Sequence, residues 1–193
     1  MTDIYISADI EADGPIPGQY SMLAFGLCVA STFNGRSFEA RDPTANTFYR
    51  ELKPAFNEVD QKALSVSGLD RDDLIRNGVE PKHAMDEAAD WVARQAGPDR
   101  PVLVGYPLVF DWMFLHWYFI HYRQVSPFGF SSGLDMKSMY QAKATVTLDS
   151  AGRADLPREL ASERAHTHNA LDDAIEQADI FNRLFVWKET ACD

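Results

Sequence analysis

The chain reads as one α/β domain over residues 1–193, a central mixed sheet with an antiparallel meander flanked by helices, on three observations. Strand-like segments crowd the first quarter of the chain, helical segments dominate the rest, and one short apolar strand stands between them. No repeat, low-complexity tract or Pro/Gly-rich linker divides it. A hydrophobic content of 46%, with 12% aromatic residues, is ample for one sizeable core.

Residues 3–10 alternate as a half-buried strand does, with Ile6, Ala8 and Ile10 on one side and Ser7, Asp9 and Glu11 on the other. Residues 22–31 read as a second strand, and 35–40 and 46–53 as shorter polar-faced ones, which together make the meander. Residues 81–96 predict a helix, with Pro81 at an early position, an apolar stripe through Met85, Ala88, Ala89, Val92 and Ala96, and Gly97-Pro98 as the stop. VLVGY (102–106) predicts a buried strand. FDWMFLHWYFIHY (110–122) is too long and too aromatic for a strand and predicts a core helix, apolar nearly all round. Residues 143–165 are polar and irregular and predict a mobile loop with a short helix near 157–163. A last helix is expected from about 169 to 188.

Charge narrows the chemistry. With 29 acidic and 18 basic residues the net charge is −11, and no basic stripe is present of the kind that grips long duplex. A nucleic-acid substrate is therefore expected to be held by a small footprint at an end or on a single strand, with metal ions supplying the positive charge. Cys28 and Cys192 make neither a disulfide framework nor a zinc site and read as a structural thiol and a tail thiol. The opening MTDIYISADIEADG has no signal-peptide pattern and no apolar run is long enough to span a bilayer, so a cytoplasmic protein with no membrane partner is expected.

Several carboxylates stand where apolar residues belong. Asp9 and Glu11 share one strand face about 6 to 7 Å apart, close enough to repel and to call for a cationic partner. Asp111, at the start of the aromatic helix, either caps it or faces a polar cavity. In HTHNALDDAIEQADIF (166–181), Leu171, Ala174, Ile175, Ala178, Phe181 and Phe185 form the core stripe, and Asp172, Glu176, Asp179 and Arg183 a charged, solvated face. Asp173 begins a row that continues through Gln177, Ile180 and Leu184, at the margin of the buried surface. His168 converges with Asp173 only if it sits on the preceding loop or first turn.

Asp9-x-Glu11 on a first strand, Phe110-Asp111 entering a helix after an apolar strand, and His168-x4-Asp173 within HNALDDA resemble the three motifs of the DEDDh family of 3′→5′ exonucleases, in order and in spacing. The resemblance spans residues 3 to 185 and implies a ribonuclease H-like fold. All-oxygen ligands suit Mg²⁺ or Mn²⁺ better than zinc. By resemblance, Asp9 bridges two such ions, Glu11 and Asp173 hold the one that carries the nucleophilic water, Asp111 supports the other, and His168 is the general base. The implied substrate is the 3′ end of single-stranded RNA or DNA, and a homodimer is left open because the family includes homodimers. Ala12, Asp13 and Gly14 follow the first motif where the family contacts the terminal nucleotide, with Pro15 and Ile16 in place of its apolar wedge. Ile16, Tyr20 and Met22 are the residues expected to touch a base.

Other positions invite two readings. Pro107 stands where the family often has Asn. Asp135 matches a family position that structures the site, yet also reads as a helix N-cap. His166 is a second candidate base with a poorer spacing. Trp112, Trp117, Tyr118, Phe119 and Tyr122 read as packing rather than stacking platforms. The alternative to an enzyme is an inert ribonuclease H-like module that binds nucleic acid or protein.

Overall fold

The computed structural model describes residues 1–188; Cys192 lies outside them. Among these residues six strands make one mixed sheet: β1 (Asp3–Ala12), β2 (Met22–Phe33), β3 (Phe38–Ala40), β4 (Thr47–Glu51), β5 (Arg100–Gly105) and β6 (Gly133–Asp135). Its order is β3-β2-β1-β5-β6, and β4 also pairs with β2. β1, β2, β3 and β4 are joined by antiparallel pairing, whereas β1, β5 and β6 run parallel. The expected mixed sheet with an antiparallel meander is thus present.

Among the described residues six α-helices accompany it: α1 (Gln61–Ser67), α2 (Arg71–Asn77), α3 (Pro81–Ala96), α4 (Leu108–Arg123), α5 (Met136–Ala144) and α6 (Ala170–Val186). The alternation in β1 sorts two cores onto the two sheet faces. Ile4, Ile6, Ala8 and Ile10 pack with Met85, Val92, Phe114, Tyr118 and Phe119 of α3 and α4. Tyr5 faces the other way and packs with Tyr140 of α5 and Phe181 and Leu184 of α6. Each fully buried Leu, Ile or Phe contributes about 1.5–3 kcal/mol. Gly26 of β2 allows α6 to lie against the sheet, since a Cβ there would come within 2.4 Å of the Leu171 backbone. No helix of the described residues is long and apolar enough to cross a membrane.

Local signals explain the helix ends. Pro81 opens α3, Asn169 caps α6 by accepting from the Leu171 and Asp172 amides, and Asp60 and Asp70 cap α1 and α2 in the same way. Asp135 does the cap's work twice: Oδ1 accepts from Ser138 N at 2.7 Å and Oδ2 from Leu108 N at 2.7 Å, so one carboxylate starts both α5 and α4.

Three expectations are corrected. The strands expected at 35–40 and 46–53 shrink to β3 and β4, because Gly35 takes φ +87° and the ends leave the ladder. The short helix expected near 157–163 is absent; a 3₁₀ turn at Arg153–Asp155 precedes it instead. The face of α6 expected to be solvated is largely covered, because residues 145–169 fold across it. Glu176 is buried against Arg153, Asp179 accepts from Ser162 and Arg164, and Arg183 donates to the Ala161 carbonyl, which leaves Asp172 exposed.

The aromatic helix divides. Tyr118 and Phe119 are core residues as expected, whereas Trp112 and Trp117 are half-buried and lie flat on His116 and His121, with ring centroids 5.2 and 4.4 Å apart.

Candidate active site

The acid cluster lies beyond the end of the β1–β5 pairing. That pairing stops at Ser7–Val104, while β1 continues to Ala12, so the last turns of β1 have a free edge facing the start of α4. Asp111 fills it: its Oδ1 accepts from Ile10 N at 3.1 Å, and the carboxylate is buried. Of the two readings open for Asp111, the cap is therefore not the structural one: Pro107 precedes α4 without a capping side chain, Asp135 takes the first amide of α4, and Asp111 turns to the β1 edge beside Asp9. A crevice beyond the carboxyl ends of parallel strands is where α/β sheets commonly hold ligands.

Asp9 and Glu11 face α6, where Asp173 and Gln177 sit on adjacent turns. Ligand oxygens of Asp9, Glu11 and Asp173 all lie within 4.8 Å of one another. Gln177 holds Asp9 by donating from Nε2 to Oδ1 at 2.7 Å, and its Oε1 accepts from Tyr106 N at 2.6 Å. Burial, reinforced by Asp111, Glu11 and Asp173, pushes the Asp9 carboxyl well above the usual carboxylate range, and Arg153 opposes the shift. Burial first, then the Asp173 charge, raises Glu11 to about 7, and burial raises Asp111 to about 8. Carboxylates crowded in a low-dielectric cavity without enough counter-charge fit a hard divalent cation, which takes oxygen ligands.

The histidines stand at the outer edge of this cluster. Asp173, fully buried, accepts from Thr167 N at 2.8 Å and from His168 N at 2.9 Å, so this carboxylate anchors the segment that carries the candidate base. His168 has φ +58° and precedes the α6 cap, so it lies on the loop, the position that convergence with Asp173 requires. Its exposed ring meets that of His166 edge-on at 4.6 Å. His166 Nδ1 lies 2.7 Å from Arg153 Nη1 and 3.0 Å from Asp173 Oδ2. A guanidinium only donates, so Nδ1 accepts from Arg153 with the ring proton on Nε2, and the approach to Asp173 is then not a hydrogen bond.

Beside Glu11 a groove is lined by Ile10, Ala12, Gly14, Pro15, Ala63 and Phe110 among others. Ala12 and Gly14 are thus at the cavity wall, and Ile16 is 45% exposed next to it. Asp13 and Met22 do not reach it, which corrects their expected contact with substrate. Met22 is wholly buried in the α3–α4 core because β2 points its side chain inward. Asp13 turns inward as well, accepting from Ser21 N at 2.6 Å and pairing with Arg71 at 2.9 Å. Its role is to tie the end of β1 to α2. Gly14 is required by the fold too, since a Cβ there would strike the Tyr20 ring at 2.1 Å.

Gln177, Arg153 and Phe110 were not singled out by sequence as site residues. Gln177 lies in the Asp173 row and was visible as such; Arg153 arrives from an irregular segment that carries no periodic signal.

Residues 9–185 match the Rv2179c-like domain family, described as 3′-5′ exoribonuclease. The 3′-5′ DNA exonuclease Cap18 of Escherichia coli is 34% identical over 183 residues, covering 94% of this chain and 91% of that protein. The nuclease domain of 3′hExo, a DEDDh family member solved with rAMP, superposes with a TM-score of 0.69 at 15% identity over 95% of this chain and 91% of that one. Escherichia coli Exonuclease I, solved with a dT13 oligonucleotide, gives a TM-score of 0.70 at 14% identity over 96% of this chain but only 41% of that longer one. These likenesses show a ribonuclease H-like fold, and with the family match they identify the chain as a member of the Rv2179c-like family of 3′-5′ exonucleases.

Proposed function

We propose that the protein removes nucleotides one at a time from the 3′ end of single-stranded nucleic acid, with Mg²⁺ or Mn²⁺ held by Asp9, Glu11, Asp111 and Asp173. The observation that carries this reading is the clustering of Asp9, Glu11 and Asp173 oxygens within 4.8 Å of one another, where burial raises the Asp9 and Glu11 carboxyls. An inert binding module has no physical reason to maintain such repulsion.

Divalent cations held by Asp9, Glu11, Asp111 and Asp173 would supply positive charge that favours ionisation of the attacking water and offsets the charge growing on the leaving oxygen. His168 takes the water proton on its exposed ring while Asp173 holds the His168 backbone in place. The water oxygen bonds to phosphorus, the bond from phosphorus to the 3′-oxygen of the shortened strand breaks, and that oxygen is protonated from solvent. The product is a nucleoside 5′-monophosphate. The groove along Ala12, Gly14, Pro15 and Phe110 suits the terminal nucleotide, and the exposed Ile16 follows Pro15 in the chain.

The family description names RNA and the Escherichia coli relative acts on DNA. Digestion of 5′-labelled RNA and DNA oligomers of several lengths with Mn²⁺ or Mg²⁺, beside Asp9→Ala, tests both class and sugar. Ladders shortening from the 3′ end, absent with EDTA and with Asp9→Ala, are expected; no EDTA-sensitive hydrolysis of either polymer sinks the reading. Light scattering of the active enzyme decides the homodimer.

A further inference from the structure

We propose that Arg153 is a positioning residue of this site, holding Glu176, His166 and the Tyr106 carbonyl in one arrangement that presents the His168 segment to the acid cluster; the proposal rests on the exonuclease reading above. Arg153 belongs to the 3₁₀ turn in the irregular stretch between α5 and α6. Its Nη1 donates to Glu176 Oε2 at 2.7 Å and lies 2.7 Å from His166 Nδ1, and its Nη2 donates to Tyr106 O at 3.1 Å. One planar guanidinium therefore joins α6, the loop before α6 and the end of the β5 segment, a task that suits its rigid fork of donors.

The three contacts converge on the catalytic groups from behind. Glu176 is one helical turn past Asp173, and its side chain is 7% exposed, so without Arg153 it would be a buried charge lacking its partner. His166 is two residues before His168, and the Thr167 and His168 amides between them bond to Asp173. Tyr106 connects the network to the other acids: its carbonyl accepts from Arg153, while its N–H donates to Gln177, which in turn holds Asp9. The strand that carries two acids and the loop that carries the base are thus cross-linked through a side chain whose hydrogen bonds go to Glu176, His166 and the Tyr106 carbonyl and to none of the four acids. Because it is aimed inward at protein acceptors, Arg153 acts on turnover rather than on substrate binding.

The test compares wild type, Arg153→Ala, Arg153→Lys and Glu176→Gln on a fluorescent oligomer at saturating Mn²⁺, with kcat and KM resolved and thermal melting in parallel. Arg153→Ala is expected to lower kcat about 10- to 100-fold, the usual range for a group behind a metal site, while KM stays within about threefold. Arg153→Lys should recover only a minor part of the loss, because an ammonium is a point charge that cannot reproduce the planar fork. A kcat within about threefold of wild type for Arg153→Ala overturns the proposal, as does a rise in KM alone, which marks a phosphate contact instead. Full rescue by Lys overturns it too, since charge alone would then suffice. Should Arg153→Ala fail to fold, the Lys variant and Glu176→Gln decide: both are expected to fold and to lose kcat, and wild-type kcat in both refutes the role. A wild-type protein that degrades no oligomer in this assay overturns the exonuclease reading itself, a result that the variants cannot imitate.

Discussion

β1 carries Asp9 and Glu11 through the middle of a six-stranded sheet, whereas His168 rides on a stretch that has only one 3₁₀ turn between Thr145 and Asn169. The strand is held by a ladder to β2 along its whole length and by β5 along its first half, so its carboxylates are placed by backbone periodicity. The loop is placed by side chains: Arg153 to Glu176 and Tyr106, Arg164 to Asp179, Trp187 to Glu159, and Asp173 to two loop amides. Both deliver chemistry to one cavity. The difference teaches that acids can be set by local pattern while the proposed base, His168, depends on a scattered polar network, and the two halves should break differently.

The largest effect is expected on the strand and helix side. Asp9→Ala and Asp173→Asn should each remove nearly all hydrolysis and weaken Mn²⁺ binding in calorimetry, with the fold preserved, because each takes one repelling charge from a crowded cavity. Retained activity in Asp173→Asn would put the α6 acids out of register and undo the assignment of His168 with them.

On the loop side, His168→Ala should cost roughly 10² to 10⁴ in rate while largely sparing Mn²⁺ affinity. His166→Ala should cost no more than about tenfold, since its ring is engaged by Arg153 and stands behind Asp173. A deeper loss from His166 than from His168 would exchange their roles.

The third expectation concerns pH and stability. Glu11 and Asp111 are raised in the folded state, to about 7 and about 8, from ordinary values of 4.5 and 3.8. The folded protein then holds more protons than the unfolded chain between about pH 4 and 8, so metal-free stability falls as pH rises through that window. Melting in EDTA should show the fall, and saturating Mn²⁺ should flatten or reverse it by binding the native state. A metal-free melting temperature that rises from pH 5 to 8 would contradict it.

Two smaller changes separate structure from chemistry. Asp13→Ala leaves Arg71, 18% exposed, without its wholly buried partner and should cost about 3 kcal/mol in denaturant unfolding. Mn²⁺ affinity should be unchanged; a selective loss of it would return Asp13 to the site. Asp172→Asn, exposed beside Asp173, should shift stability by no more than about 0.5 kcal/mol and leave hydrolysis intact.

The longer elements are legible in the chain: β1 by its alternation, α3 and α6 by their apolar stripes, β2 as an apolar run, and α4 by the length and aromatic content of its segment. α1 and α2 have only seven residues each, too few turns to show a period, and their Asp60 and Asp70 caps pass for ordinary loop acids. Asp13 misled for a related reason. Its neighbours Glu11 and Gly14 border the groove, but Arg71, the partner that draws it inward, lies 58 residues away.

By itself the sequence determined the order and spacing of Asp9, Glu11, Asp111, His168 and Asp173, the elements that bear them, and through these the family. Strand and helix periods are local, so a short stretch is enough to say which side chains share a face. Only the tertiary structure decided what meets those acids from the far side of the molecule. Arg153 covering the buried Glu176, Gln177 steadying Asp9, and the free edge of β1 that Asp111 occupies are long-range contacts set by how the 145–169 segment and α4 close over the sheet. A partner 23 or 168 residues away leaves no periodic trace, because it is chosen by burial and unsatisfied charge rather than by the chain's local geometry.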